Sequence, residues 1–508
     1  MSIDPKHAVQ QSSVHAQHEL PILHTQPASP PARRHTTSSD GTRAPEDDGA
    51  KEKVGAAHIA VAGQSAPSIG PPFNKYGHKF FDPEIAPIRK VVYKILFPFV
   101  GLLTIVMWLA LPLYWGSFWQ ANSHSENLTV MILNRDSSST ASLGSAIVSA
   151  GLANRNGSTT NGSKVGRLGF YEGDLAEYPD EESVKHAVLE NDIWGVVVVN
   201  TDVTARLQTA RETGDSSYNP RSAISFYYNQ ARMENAVNGY LVPLTTSVLT
   251  QASERWSAQS IAAYLSTVSG DATALTTLAS APRTVTPGVS YQPYNLRVFS
   301  TPVATAVTLV GQIYMLIFTF VFSMAFNIMR EIIGPKLKLR SYLAFRFVVP
   351  LAVYAWLSLM LAMINLPFKL PFDAKWSYAG GFFLWWAVLY AGMIAVGLAI
   401  EFCIVLLTPR FVAFALLPII IVQVSVVSLP HELQPRLYRY GVATPFYRVS
   451  NAVRTIIFNT KNDVGLDFGI LLAWGLLSTI TVAGLTVLFR SREVKKDRAE
   501  QEKVANRA

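Results

Sequence analysis

Apolar periodicity is absent from residues 1–90, where stretches such as "QPASPPARRHTTSSDGTRAPEDDGAKEK" are typical. So little apolar surface cannot offset the entropy of ordering a chain, which predicts a disordered tail. An unbroken apolar run, "ILFPFVGLLTIVMWLALPLYW", then covers 95–115, close to the ~20 residues that cross a bilayer. From 116 to 300 the pattern changes to short β-branched and aromatic runs: "NLTVMIL" at 127–133, "RLGFY" at 167–171, "IWGVVVV" at 193–199 and "AISFYYN" at 223–229. Helical stretches near 141–152, 181–190 and 202–211 lie between them. Strand alternating with helix predicts an α/β domain with a partly parallel sheet. Residues 231–269 have few breakers and predict one or two long helices, and the Thr-, Pro- and Ser-rich 271–300 reads as a descent to the membrane.

After Pro302 the apolar runs return at about 304–328, 344–366, 379–402, 411–430 and 468–489. The predicted fold class is an integral membrane α-helical protein: six transmembrane helices, with an α/β extracytosolic domain between the first and second. The predicted organisation is a cytosolic tail (1–90), a first span (91–115), the outer domain (116–300), a five-helix membrane domain (301–490) and a basic cytosolic tail (491–508). Arg89, Lys90 and Lys94 precede the first span. Arg330, Lys336, Lys338 and Arg340 separate the next two, and Arg490, Arg492, Lys495, Lys496 and Arg498 follow the last. Six spans place all of these, and both termini, on the cytosolic side, as the positive-inside bias requires. Fusing 379–430 into one span would put the basic end outside. The loop 431–467 fits less well, because its Arg436, Arg439, Arg448, Arg454 and Lys461 fall on the outer side. Within it Phe446, Val449, Val453 and Ile457 recur at helical spacing opposite Arg448, Asn451 and Thr455. That pattern predicts an interfacial amphipathic helix or a re-entrant segment, which can hold Arg at headgroup level.

Charge sharpens this division. Charged residues make up 15% of the 508, against about 25% in ordinary soluble proteins. Lys and Arg outnumber Asp and Glu by 20 to 10 in residues 301–508, while 116–300 have 12 against 16. The net +8 therefore belongs to juxtamembrane segments facing a lipid bilayer, and nucleic acid is not the expected partner. The single cysteine, Cys403, forms no intramolecular bridge, so the outer domain must hold together by burial. Irregularly spaced histidines in the tail do not make a metal site, and no cofactor is expected. Sequons at Asn127, Asn156 and Asn161 can carry glycans if this domain faces the secretory lumen.

Nothing in the chain argues for catalysis. The phosphate loop, the dinucleotide fingerprint, the H-E-x-x-H pair and the G-x-S-x-G elbow are all missing, so no ATP hydrolysis through a P-loop is expected. Polar residues inside spans are the candidate functional groups, because burying them in lipid is costly. Glu401 reads either as a proton- or substrate-handling group or as a salt-bridged interfacial residue. Gln312, Asn327 and Gln423 read either as lining a substrate path or as interhelical hydrogen bonds. Trp385 and Trp386 read as packing or lipid contacts and Pro418 as a kink.

Several segments resemble a known family. These are "LPLYWGSFW" at 111–119, "VGQIYMLIFTFVFS" at 310–323, "YRYGVATPFYRVSNAVRTIIFNT" at 438–460 and "DFGILLAW" at 467–474. Together they resemble the fungal nitrosoguanidine-resistance membrane proteins, over roughly 95–490. One span, a large outer domain and five further spans also look like the layout of bacterial phage-infection proteins and ABC-exporter permeases. The resemblance implies a plasma-membrane protein supporting resistance to toxic small molecules by export or lipid redistribution. It further implies a possible homodimer and a separate ATPase or signalling partner. A non-transporting regulator or scaffold responding to membrane lipid state is the alternative, and an outer-domain receptor a third.

Overall fold

In the computed structural model the described residues are 77–136, 142–157, 166–407 and 409–505. The expected disordered tail falls almost wholly outside them, as does Asn161. Everything below concerns Lys79–Ala508, which forms one unit.

The first long helix, α1, spans Ala86–Phe118 with Pro87 in its first turn, where the missing N–H costs nothing. It is longer at both ends than the expected 91–115. Its apolar side chains point outward nearly all round, Ile95, Phe97, Trp108 and Leu109 among them. Water cannot sustain such a surface on one helix, whereas lipid can.

The α/β domain follows in the order β1 (Thr129–Asn134), α2 (Leu143–Asn156), β2 (Gly169–Glu172), α3 (Glu181–Leu189), β3 (Gly195–Val199), α4 (Val203–Thr213), β4 (Ile224–Tyr228), α5 (Val242–Thr267), α6 (Ala272–Ser280) and β5 (Tyr291–Asn295). The sheet order is β2-β1-β3-β4-β5. β1 runs parallel to β2 and β3, β4 is antiparallel to β3, and β5 is parallel to β4. The "GVVVV" of β3 is buried along its whole length, because helices cover both sheet faces and both sets of alternating side chains must be apolar. Val130, Ile132, Phe170 and Val197 meet α2, α4 and α5 on one face. Met131, Leu133, Val196 and Val198 meet α3 on the other. Ser142 caps α2 and Asp180 caps α3 through their side chains, while Gly214 in a left-handed conformation ends α4. The segment 271–300 is not a simple descent: α6 and β5 lie within it. β5 reads "YQPYN" and is only partly buried. Pro293 cannot donate to a ladder, so β5 has its place at the sheet edge.

The membrane half contains α7 (Gly311–Ile333), α8 (Leu339–Met363), α9 (Tyr378–Leu407), α10 (Pro409–Ser425), α11 (Pro445–Phe458) and α12 (Val464–Ala505). Central among these is α9, which is apolar on every side and packs against α7, α8, α10, α11 and α12. Gly397 lets it approach α8, since a Cβ there would collide with the Tyr354 ring. Among the described residues, five helices (α1, α7, α8, α9 and α12) are long and apolar enough to cross a membrane by length and composition. The 17-residue α10 is shorter than the expected 411–430 run and would reach only about 26 Å. At the other extreme, α12 continues through the expected 491–508 tail as far as Ala505.

The 431–467 segment contains the helix α11, which is buried nearly all round, Arg448 and Arg454 included. The polar stripe is there because it meets charged partners from the α/β domain and α12.

Candidate functional site

Glu401, near the end of α9, is 1% exposed and bridges two helices at once. Its Oε2 lies 3.1 Å from Nη1 of Arg330 and 3.3 Å from Nη2 of Arg346. Arg330 comes from the last turn of α7 and Arg346 from two turns into α8. The short 334–338 link makes these helices neighbours, which brings both guanidiniums to the depth of Glu401. Each arginine side chain is 4% exposed. Nη2 of Arg330 donates to Oδ1 of Asn327 at 3.0 Å, and Asn327 donates from Nδ2 to Glu331 at 2.8 Å. One layer deeper, Ser323 and Tyr354 share a hydrogen bond of 3.2 Å.

Two buried guanidiniums thus face one buried carboxylate, leaving one positive charge in excess. The Nε atoms of both arginines and Oε1 of Glu401 reach no hydrogen-bond partner. The cluster borders a cavity of about 470 Å³ that is also lined by Tyr342, Thr486, Phe489 and Arg490. Arg490 donates to the carbonyls of Gly334 and Leu337 and lies 5.0 Å from the Tyr342 ring centre.

A second charged region forms the seam between the α/β domain and the bundle. Arg454 of α11 donates to Oε2 of Glu234 at 2.5 Å and to the Ala231 carbonyl at 3.0 Å. Arg448 reaches Oδ1 of Asp467 in the first turn of α12 at 3.2 Å. Arg232 sits 3.6 Å from the Trp194 ring centre and 3.4 Å from Glu432, and burial pushes its guanidinium down to about 10. Of these groups, Trp194, Arg232, Glu432, Arg448 and Arg454 line a cavity of about 280 Å³. His431 on its wall stacks on Tyr447 at 5.0 Å, and burial holds its imidazole below the ordinary histidine range, against the opposing pull of Glu432. Asp463 borders this cavity and Arg490 the other. The helix between them places the two cavities about 40 Å apart, at opposite ends of the bundle.

Of the polar span residues singled out from the sequence, Asn327 and Glu401 come together. Gln312 and Gln423 do not join them. Gln312 is buried and donates to the Thr308 carbonyl one turn back at 2.7 Å. Gln423 accepts the Phe446 N–H at 3.2 Å, occupying an otherwise orphaned donor in the first turn of α11. Neither lines either cavity. Sequence reasoning missed the pairing of Arg330 and Arg346 with Glu401. It assigned Arg330 to topology and passed over Arg346, although an arginine inside an apolar run was the available signal. Trp385 is buried, and Trp386 donates to the Ala355 carbonyl and to Ser358, so both pack rather than form a cage. Among the sequons, Asn156 is exposed at the end of α2. Nδ2 of Asn127, the atom that would carry a glycan, donates to the Glu432 carbonyl at 2.9 Å.

Long apolar helices with outward-facing apolar side chains, and buried ion clusters between them, define a multi-pass integral membrane protein carrying an α/β domain. The chain belongs to the family described as "Protein of unknown function (DUF3533)", whose model matches residues 100–480. It is also similar to the Saccharomyces cerevisiae protein named "Uncharacterized endoplasmic reticulum membrane protein YJR015W", with 27% identity over 194 residues. That match covers 37% of this chain and 38% of the yeast protein, so the chain spans well under half the length of this relative. No solved structure matches.

Proposed function

We propose that this is a permease-like membrane protein that supports resistance to nitrosoguanidine-type and related toxic small molecules, by exporting amphipathic compounds or redistributing lipids. The observation that carries the reading is the buried Arg330–Glu401–Arg346 cluster on the central helix, with polar cavities at both ends of the bundle. Ionisable groups at membrane depth are costly and mark substrate or ion paths. One carboxylate shared by two arginines on different helices can exchange partners if the helices shift, the kind of element that alternating access requires. In this reading α10 is a sixth, short span, the α/β domain is extracytosolic, and both termini are cytosolic. The chain is no enzyme, energy comes from a separate ATPase, and two copies form the working unit. The yeast relative's name places that protein in the endoplasmic reticulum, and we assign this chain to a secretory-pathway membrane, the plasma membrane included.

The test is the initial rate of accumulation of a labelled toxic amphiphile in cells with and without the protein, beside cells expressing Arg346→Lys at equal surface level. Faster accumulation without the protein, not restored by the variant, is expected. Equal accumulation together with unequal survival would sink export and favour a non-transporting regulator or scaffold. That second reading draws on the tightly packed apolar layer between the cavities, built from Met315, Leu316, Trp385, Val388 and Met393.

A further inference from the structure

The 470 Å³ cavity has a feature that ion pairing does not explain. Its inner wall holds the guanidinium-bearing side chains of Arg330 and Arg346, each at least 96% buried and sharing the single carboxylate of Glu401, and both Nε donors lack an acceptor. A buried charge persists when it is paired, and an N–H group persists in a low-dielectric site when it has an acceptor. One negative charge in the cavity would offset the extra guanidinium. Arg490 at the mouth, held on Tyr342, supplies a third guanidinium.

The surroundings say what kind of anion this is. The mouth lies where α7 ends, α8 begins and α12 leaves the apolar layer. Lys336, Lys338 and Arg340 stand exposed on and just after the link between α7 and α8, where basic side chains attract anionic headgroups. Beside it Ile328, Ile332 and Phe489 present exposed apolar side chains, suited to acyl chains. A soluble anion would use the arginines but not this apolar flank. The carboxylates of Glu331, Glu493 and Asp497 also line the cavity, on residues exposed to the surroundings. They disfavour a multiply phosphorylated headgroup, and the excess of one positive charge inside matches a single phosphate.

The geometry points to a binding site for the phosphate of an anionic phospholipid headgroup, in the cleft between the ends of α7, α8 and α12, with Arg330 and Arg346 as inner donors and Arg490 at the mouth. Such a site requires only that the bundle lies in a membrane, so it goes beyond the export reading and does not depend on it. A lipid held there bridges three helices and sets how firmly Glu401 keeps both arginines.

The test uses the full-length protein purified in a neutral detergent, with the thermal midpoint and bound lipid by native mass spectrometry as readouts. Phosphatidic acid, phosphatidylserine, phosphatidylcholine and inorganic phosphate are added in separate arms. The two anionic lipids are expected to bind and raise the midpoint, whereas phosphatidylcholine and inorganic phosphate are not. Val494→Glu adds a negative charge at an exposed position lining the cavity, where surface substitutions leave stability nearly unchanged, and should weaken the anionic lipids about fivefold. Arg346→Gln should abolish the preference, and Val494→Glu carries the test alone if that variant does not fold. Equal binding of phosphatidylcholine, or an unchanged preference in Val494→Glu, would overturn the site. Equal stabilisation by inorganic phosphate would overturn the lipid and leave a soluble phosphate in its place. Flat amphiphile accumulation would remove export while leaving this lipid preference intact.

Discussion

Replacing Glu401 with Gln keeps the volume of the side chain and removes only its charge. In the structure Oε2 faces Arg330 at 3.1 Å and Arg346 at 3.3 Å, so the substitution strands two guanidiniums together. Removing one partner of a buried pair costs about 3–5 kcal/mol, most of it the penalty of the charge left behind. Here two charges are left, and the adjoining cavity offers them partial relief through water, so the same range is expected. The three residues together should behave oppositely. Exchanging Arg330, Glu401 and Arg346 for Met, Leu and Met leaves no stranded charge, and apolar replacement of buried ion clusters is neutral or stabilising by about 1–4 kcal/mol. Purified wild type, Glu401→Gln and the triple variant would be compared by denaturant unfolding in detergent, with tryptophan fluorescence as the probe. The expected order is Glu401→Gln well below wild type, and the triple variant equal to it or above. Glu401→Gln within about 1 kcal/mol of wild type would refute the reasoning, because a stranded buried pair cannot be that cheap. A triple variant as unstable as Glu401→Gln would show that the cluster is held by packing rather than by charge.

Three further outcomes are expected. His431 is held below its ordinary value by burial, so the folded seam favours the neutral ring. That contribution is fully present above about pH 6.5, the unfolded value, and is lost as pH falls through the lower folded value. Unfolding midpoints should therefore drop on acidification in wild type and less in His431→Gln, and parallel profiles would refute this. Arg454→Ala strands Glu234 and the Ala231 carbonyl and should cost about 3 kcal/mol, loosening the seam so that limited proteolysis cuts near 296–305 faster than in wild type. Unchanged cleavage would mean that the pair does not hold the seam. In cells, Asn156→Gln should remove an endoglycosidase-sensitive mobility shift and Asn127→Gln should leave it, because the Asn127 amide nitrogen is engaged with Glu432. A shift that follows Asn127 would contradict the seam geometry.

The elements of the α/β domain were legible where burial on both sheet faces enforced continuous apolar runs. "IWGVVVV" contains β3, the run at 223–229 contains β4, and the runs at 127–133 and 167–171 hold all but the last residue of β1 and β2. β5 was not legible, because an edge strand with Pro293 and two exposed positions has neither alternation nor an apolar run. The helices α7, α8, α9 and α12 were visible from hydropathy, but their ends were not. Charged residues stop an apolar run without stopping a helix, so α12 continues to Ala505 and α1 begins at Ala86. For the site, Glu401 and Asn327 were visible as polar residues in costly places. Their partners were hidden by the positive-inside rule, which explains Arg330 adequately as a topology signal and so removes the incentive to seek its carboxylate. Gln312 and Gln423 carried the same signal as Glu401, yet they serve the backbone. A neutral amide can be held by a single backbone carbonyl or N–H, even with Oε1 of Gln312 left unpartnered, whereas a buried carboxylate requires a cation.

The placement of charge in this molecule also constrains which parts can move. The apolar layer around α9 offers many nearly equal packing contacts and no preferred pair, so it resists change mainly through close packing. The ion pairs are few, specific and terminal. Arg454 ties α11 to Glu234 of the α/β domain, Arg448 ties α11 to the first turn of α12, and α12 carries Arg490 to the carbonyls that close the link between α7 and α8. The triad then joins α7, α8 and α9. A displacement of the α/β domain against the bundle must break or carry along the Arg454 pair. If it is carried along, α11 and α12 move with it, because Asp467 holds both Arg448 and Asn451. The far end of α12 then shifts against Gly334 and Leu337, next to Arg330. This physical route between the two cavities uses charged contacts at each junction and a stiff helix between them. Coupling along it requires that the triad have two arrangements of comparable energy, and the unpartnered Oε1 of Glu401 beside two arginines with spare donors is the local chemistry that permits it.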